Sequence, residues 1–277
     1  MHATPVHSGS EPSRLTVALV RSTPGARTHW STWSLPEGAT DRRPDPRTVE
    51  EAHVEQHPRG ALVTFDLFSA LVDSRAGGSA VFADLARRRG WPLPGERVYD
   101  VWDRRNKASQ RDLTTWVPFT EHSRRALAGA YAELGLAGDA GEDVGLLLGS
   151  VGDWPLWPDV ATGLPAVARQ RRTGVLSNVD DAVFARTRVA ALVPDAEVLT
   201  SERLGAYKPA REIYRRAREQ AGELVHVATS ARDVRGALEA GIPVVRLRRP
   251  GHHLDADGPP PAVEVDDLHA LLAALRG

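Results

Sequence analysis

The chain has 277 residues, 35 of them basic and 36 acidic for a formal charge of −1, with 42% apolar side chains. That is apolar mass enough for a sizeable core in one or two domains, and the balance argues against an electrostatically driven nucleic-acid or membrane binder. There is no cysteine, which removes disulfides, thiolate metal sites and a thiol nucleophile together.

Residues 1–58 differ from the rest. They hold seven prolines, Pro5, Pro12, Pro24, Pro36, Pro44, Pro46 and Pro58, and five of the ten histidines. Only Leu15 to Val20 reads as a strand, and an extension that is mostly disordered is expected. That start has no basic segment before an apolar run, so no secretory signal is expected, and no apolar run reaches the length of a membrane span. A cytoplasmic protein follows as the expectation.

At Gly60 the character changes. Ala61-Leu62-Val63-Thr64-Phe65 is a short, nearly continuous apolar run ending at Asp66, as a buried parallel strand would be. From Gly78 to about Gly149 the spacing is helical, with Val81, Phe82, Leu85 and Ala86, then Leu127, Ala130, Tyr131 and Leu134. Trp154 to Val160 is a proline-punctuated connection in which Trp154 and Trp157 read as packing residues. Strands ending in polar residues then alternate with helices: Val175 to Asn178, Glu197 to Ser201, Leu224 to Ala228 and Pro243 to Leu247. Val265 to Leu275 reads as a closing helix. His252 to Asp257, beside Gly251 and a run of prolines, reads as a solvated turn rather than a metal site.

This pattern predicts a doubly wound α/β domain with ligands beyond the carboxyl ends of the strands. Asp66, Ser177, Asn178, Ser201 and the stretch from Thr229 to Asp233 stand at those ends. A carboxylate there is a competent nucleophile if ionised and desolvated, and a nearby lysine favours the ionised form. Of the 35 basic residues only Lys107 and Lys208 are lysines. Where arginine is used almost everywhere, each lysine invites a chemical question.

Four strand-end clusters then carry a resemblance. Phe65-Asp66-Leu67-Phe68-Ser69-Ala70-Leu71-Val72-Asp73, Leu176-Ser177-Asn178, Ser201 to Pro209 with Lys208 before the proline, and His226 to Ala237 with Asp233-Val234-Arg235-Gly236-Ala237 resemble, in order, the four motifs of the haloacid dehalogenase superfamily. The resemblance covers about residues 60–275. It implies a Rossmann-like doubly wound parallel sheet with an inserted helical cap: a core of residues 59–75 and 153–277 and a cap of residues 76–152. It also implies Asp66 as nucleophile, Lys208 as its charge partner and Asp233 as water activator. Phe68, Ser69, Ser177, Asn178, Arg104 and Ser230 are the expected substrate-binding residues.

The departures select a branch. Phosphatases of the superfamily carry a second Asp two residues after the nucleophile, where this chain has Phe68, and an early Mg²⁺-ligating acid in the fourth motif, where it has Thr229. An alkoxide leaves badly without a proton, whereas a halide leaves without one. Asp followed by an aromatic resembles the 2-haloacid dehalogenases, which form and hydrolyse an aspartyl ester without a cofactor. That branch has Gly and Thr where this chain has Ser69 and Ala70, and its halide-binding cap arginine follows a Trp, where Trp102 is followed by Asp103 and then Arg104. The alternatives are a Mg²⁺-dependent phosphatase, with Asp66 and Asp233 on the metal and water or Asp73 in place of the missing acid, and a non-catalytic binding protein on the same scaffold. The expected partner is a small-molecule substrate, with no nucleic acid and no membrane; a homodimer is left open.

Overall fold

The computed structural model describes residues 60–111, 113 and 115–275. The strand and extension expected within residues 1–58 lie outside the described residues. The sheet has the order β3-β2-β1-β4-β5-β6, formed by β1 (Leu62–Phe65), β2 (Thr173–Ser177), β3 (Val198–Thr200), β4 (Leu224–Ala228), β5 (Val244–Leu247) and β6 (Val263–Val265). All neighbours pair parallel.

Strands β1 to β5 are buried along their whole length, which is why their sequences are continuous apolar runs rather than alternating ones. Successive side chains still point to opposite faces. Val63, Phe65, Val175 and Val227 join the apolar cluster beneath α5 (Val160–Ala168) and α10 (Leu268–Ala274). Leu62, Leu176 and Ala228 join Ile213 and Tyr214 of α8 (Arg211–Ala221) and Val234 of α9 (Ala231–Glu239) on the other. Two short helices, α6 (Asp181–Phe184) and α7 (Ser201–Leu204), follow β2 and β3.

Between β1 and α5 lie the four cap helices: α1 (Ser74–Arg89), α2 (Gly95–Ser109), α3 (Phe119–Leu134) and α4 (Ala140–Gly149). Their ends are marked by cap chemistry. Asp73 accepts from Ala76 N and starts α1, while Gly90 and Gly135 close α1 and α3 with φ of 66° and 64°, a conformation glycine adopts without strain. α1 and α2 approach closely through Gly95, where a Cβ would lie 2.2 Å from Ser79 O.

Strands β1, β2, β3 and β5 shift by one or two residues from the sequence reading, β2 most, beginning at Thr173 rather than Val175, and two other boundaries differ for a clear physical reason. α1 begins at Ser74, because the Asp73 cap draws four more residues into the helix than the apolar spacing indicates. The closing segment is not helical from Val265; that residue ends β6, and Asp267 caps α10, accepting from His269 N and Ala270 N.

Candidate active site

Strand order reverses across β1, so the ends of β1, β2 and β4 open onto one crevice. Asp66 stands at the end of β1, its N–H donating to Val227 O at 3.0 Å. The chain then turns tightly, with Leu71 N and Val72 N both donating to Leu67 O. Ser69 occupies this turn with φ 74°, a left-handed conformation costing a non-glycine residue about 1–3 kcal/mol. It is pinned by its own N–H to Val72 O at 3.0 Å and by Trp157 Nε1 donating to Ser69 O at 2.9 Å. Arg249 clamps the same turn from below, reaching Ala70 O at 3.0 Å while pairing with Asp159 at 2.7 Å.

Lys208 is the hub. Its Nζ donates to Asp66 Oδ1 at 2.8 Å, to Leu176 O at 2.8 Å and to Asp233 Oδ2 at 2.5 Å, which uses all three ammonium protons. Asn178 holds the Lys208 backbone, accepting from its N–H at 2.7 Å and donating to its carbonyl at 2.9 Å. Its amide is therefore occupied in placing Lys208, although the residue also borders the cavity. Asp233 receives Tyr214 OH on Oδ1 at 2.8 Å, and its Oδ2 lies 3.1 Å from His226 Nε2. His226 in turn is 2.9 Å from Thr64 Oγ1. The glycine of the fourth motif has a packing reason: a Cβ on Gly236 would lie 2.6 Å from Pro209 Cβ and 2.9 Å from Tyr214 OH.

The electrostatics separate the two carboxylates. Burial pushes the Asp66 carboxyl above its ordinary value, against the pull of Lys208. Burial works the same way on Asp233, but Lys208 and His226 outweigh it and hold that carboxyl well below the ordinary range. Lys208 is raised, the attraction of Asp233 and Asp66 overcoming desolvation.

Above this polar floor is a cavity of about 240 Å³. Asp66, Ser69, Ser177, Lys208, Ser230 and Asp233 border it from the core. Tyr99, Trp102, Phe119 and Leu148 border it from the cap, with Phe68 and Trp154 packed together at 5.5 Å between ring centroids. Polar contacts stitch the seam: Asp180 accepts from Phe119 N at 2.7 Å and Thr120 N at 2.8 Å, Tyr207 OH donates to Val117 O at 2.7 Å, and Asn178 donates to Gln110 at 2.9 Å. Both lysines of the chain border the cavity, Lys107 paired with Asp103 at 2.7 Å.

Eight of the nine expected site residues thus meet at one cavity. Arg104 is the correction: it pairs with Glu133 at 2.6 Å, with its side chain 56% exposed. Helical phase is the reason. Trp102, Asp103, Asn106 and Lys107 share the cavity face of α2, which its C-cap Gln110 continues, and a residue two positions after Trp102 points away from it. Sequence reasoning missed His226, Tyr214 and Arg232. His226 was visible as a polar residue inside an otherwise apolar strand.

The residues fit a magnesium ion poorly. Asp66 and Asp233 hold the same ammonium, and Thr229, at the position of the early acid, turns its hydroxyl to Leu247 O at 2.8 Å. Among the described residues no group of three His, Asp or Glu side chains is arranged to hold a metal.

No family model matches the chain, and no curated protein does. Solved structures do. An L-2-haloacid dehalogenase from Xanthobacter autotrophicus with chloropropionic acid covalently bound superposes with a TM-score of 0.67 at 21% identity, covering 79% of this chain and 99% of that one. The chain has the haloacid dehalogenase fold. A defluorinating L-2-haloacid dehalogenase matches with a TM-score of 0.68 at 25% identity, over 79% of this chain and 96% of the other. A magnesium-bound HAD-hydrolase from Bacillus subtilis matches at 0.63 and 15% identity, over 79% and 100%. The cap helices of this haloacid dehalogenase-like chain stand between β1 and β2. Among the described residues no helix is long and apolar enough to cross a membrane.

Proposed function

We propose that the chain is a cofactor-independent hydrolase that cleaves the carbon–halogen bond of a small 2-haloacid, with Asp66 as nucleophile. We take residues 59–75 and 153–277 as its core and 76–152 as its cap. The observation that carries the reading is Lys208, bonded at once to Asp66 and Asp233, beside Phe68 where a phosphatase would need an acid. An ammonium there keeps Asp66 ionised and oriented, while the aromatic wall excludes water from the attacking oxygen. The covalently bound chloropropionic acid in a structure of the same fold agrees with an ester intermediate.

An Asp66 carboxylate oxygen bonds to C2 of the substrate as the C–X bond breaks and halide departs with the electron pair. Water then adds to Cγ of Asp66, its proton passing to Asp233. The ester C–O bond at Cγ breaks, the alkoxide takes that proton to become the 2-hydroxyacid, and Asp66 returns its own to solvent. Asp233, with its carboxyl held low and its oxygens shared among Lys208, His226 and Tyr214, is a weak base. It acts mainly by orienting the water and Lys208. Ser177 and Ser230 offer hydroxyls to the substrate, and Ser69 shapes the turn beside it. Asp73, the stand-in acid of the phosphatase alternative, is engaged as the α1 cap.

Halide release from short 2-haloacids in the presence of EDTA tests this, wild type against Asp66→Asn. Release that survives EDTA and vanishes in the variant is expected. No release from the wild type would overturn it, and a phosphate-ester panel with Mg²⁺ would then separate the phosphatase from the non-catalytic scaffold.

A further inference from the structure

The cavity holds a guanidinium that the mechanism above leaves unused. Arg232, the second residue of α9, borders the cavity beside Asp233. Its Nη1 donates to Lys107 O of the cap at 2.7 Å and its Nη2 to Lys208 O of the core. Two carbonyls thus fix the plane of the group. A guanidinium has five N–H donors, and Nε is buried without an acceptor among the described residues. Of the other cations nearby, Lys208 pairs with Asp66 and Asp233, Lys107 with Asp103, and Arg104 and Arg105 with Glu133; Arg111 also borders the cavity, but it is exposed to solvent, which screens its charge. No carboxylate pairs with Arg232 among the described residues.

A partly buried, unpaired guanidinium is costly to fold around. Held planar at an apolar cavity, it is also what a monoanion binds best, because the low dielectric strengthens the attraction. The resemblance places the anion-binding arginine on the cap, after a Trp, and here that arginine has turned away to Glu133.

We propose that Arg232 is the anion receptor of this site, taking from the core the part that Arg104 does not play, and that it binds the substrate carboxylate or the departing halide. The identity of the anion rests on the haloacid reading; the binding itself does not.

The test therefore reads binding without turnover. Chloride is followed by chlorine NMR line broadening and propionate by saturation-transfer NMR, in wild type, Arg232→Met, Arg232→Lys and Arg104→Ala. In Arg232→Met, binding weakens at least about tenfold, the loss of a charge-assisted hydrogen bond, while Arg104→Ala binds as wild type. Loss confined to chloride assigns Arg232 to the leaving halide, and loss confined to propionate assigns it to the carboxylate. Arg232→Lys, which keeps the charge without the fork, binds several-fold more weakly than wild type and carries the test if Arg232→Met does not fold. A purely structural staple between cap and core would lower the melting temperature and leave both affinities in place. That result overturns the proposal, as would weakening in Arg104→Ala instead, wild-type affinity in Arg232→Lys, or a wild type that binds neither anion. If binding follows Arg232 but no haloacid is ever turned over, the haloacid reading falls and the receptor stands.

Discussion

The two walls of the cavity are built on different principles. The core wall is a saturated polar network in which Lys208 uses every proton it has and Asp233 receives Lys208, His226 and Tyr214. The cap wall carries the Lys107–Asp103 pair and Asn106, but most of it is aromatic and aliphatic and held by packing, with Tyr99 against Trp102 at 5.4 Å and Trp102 against Phe82 at 6.4 Å between ring centroids. A network of that kind fixes charges to within a hydrogen bond, and losing one member leaves the others uncompensated. A packed wall tolerates exchange of shape and volume, at a cost graded by how well neighbours yield. On the proposed function, the chemistry and the polar contacts to substrate belong to the first wall, and the second limits the shape of what fits.

The sharpest way to break that contrast is Lys208→Met. It strands two carboxylates in a buried site, for which about 3–5 kcal/mol of stability is expected to be lost, read by urea denaturation at neutral pH. Adding Asp233→Asn to it is expected to recover part of the loss, as coupling within one network demands. A variant whose stability barely changed would show that the network is not the tightly coupled unit its geometry describes.

A cap substitution should behave otherwise. Gly78 in α1 lies under Tyr99, and a Cβ there would meet the ring at 2.4 Å. Because Tyr99 is itself packed on Trp102, Gly78→Ala is expected to push the ring toward the cavity and lower stability by about 1–3 kcal/mol. On the proposed reaction its mark is a raised KM with kcat nearly unchanged. A fall in kcat at constant KM would place the cap wall in the chemistry after all.

The same division explains what the sequence disclosed. β4 is legible to the residue, because Leu224 to Ala228 is a short apolar run buried on both faces. Asp66, Lys208 and Asp233 are legible because each stands in a local motif at a strand end. β6 is not, since its three residues have only Val265 buried and lie close to prolines. Arg104 was misplaced by neighbourhood in sequence, where helical phase decides. The aromatic wall gathers residues from α2, α3, α4 and the connection to α5, a convergence that no local pattern encodes. Arg232 sat in view, but the carbonyls that hold it belong to Lys107 and Lys208, far off in sequence.

Tyr214→Phe probes the network more gently. It removes the donor to Asp233 Oδ1 while keeping the ring beside His226, and about 1–2 kcal/mol is expected to be lost. Equal stability of the two proteins in denaturant would mean that another donor replaces the phenol.

The smallest expected effect is also the one that separates the two carboxylates. Asp66 is raised above its ordinary 3.8, so it binds its proton more tightly in the folded protein than in the unfolded chain. On the proposed mechanism the acid limb of the kcat/KM profile therefore has its midpoint above 3.8. Its contribution to stability has the matching sign, full below the unfolded value and lost as pH rises through the folded one. Asp233 runs the opposite way. Its folded value lies below 3.8, so its contribution is complete above the unfolded value and is lost as pH falls through the folded one. The stability gap between wild type and Asp233→Asn should accordingly be widest near neutrality and close in acid, below the pH at which Asp66 has already silenced the reaction. An acid limb at or below 3.8 would mean that Lys208 outweighs burial at Asp66, and that the two carboxylates are not held apart by their surroundings.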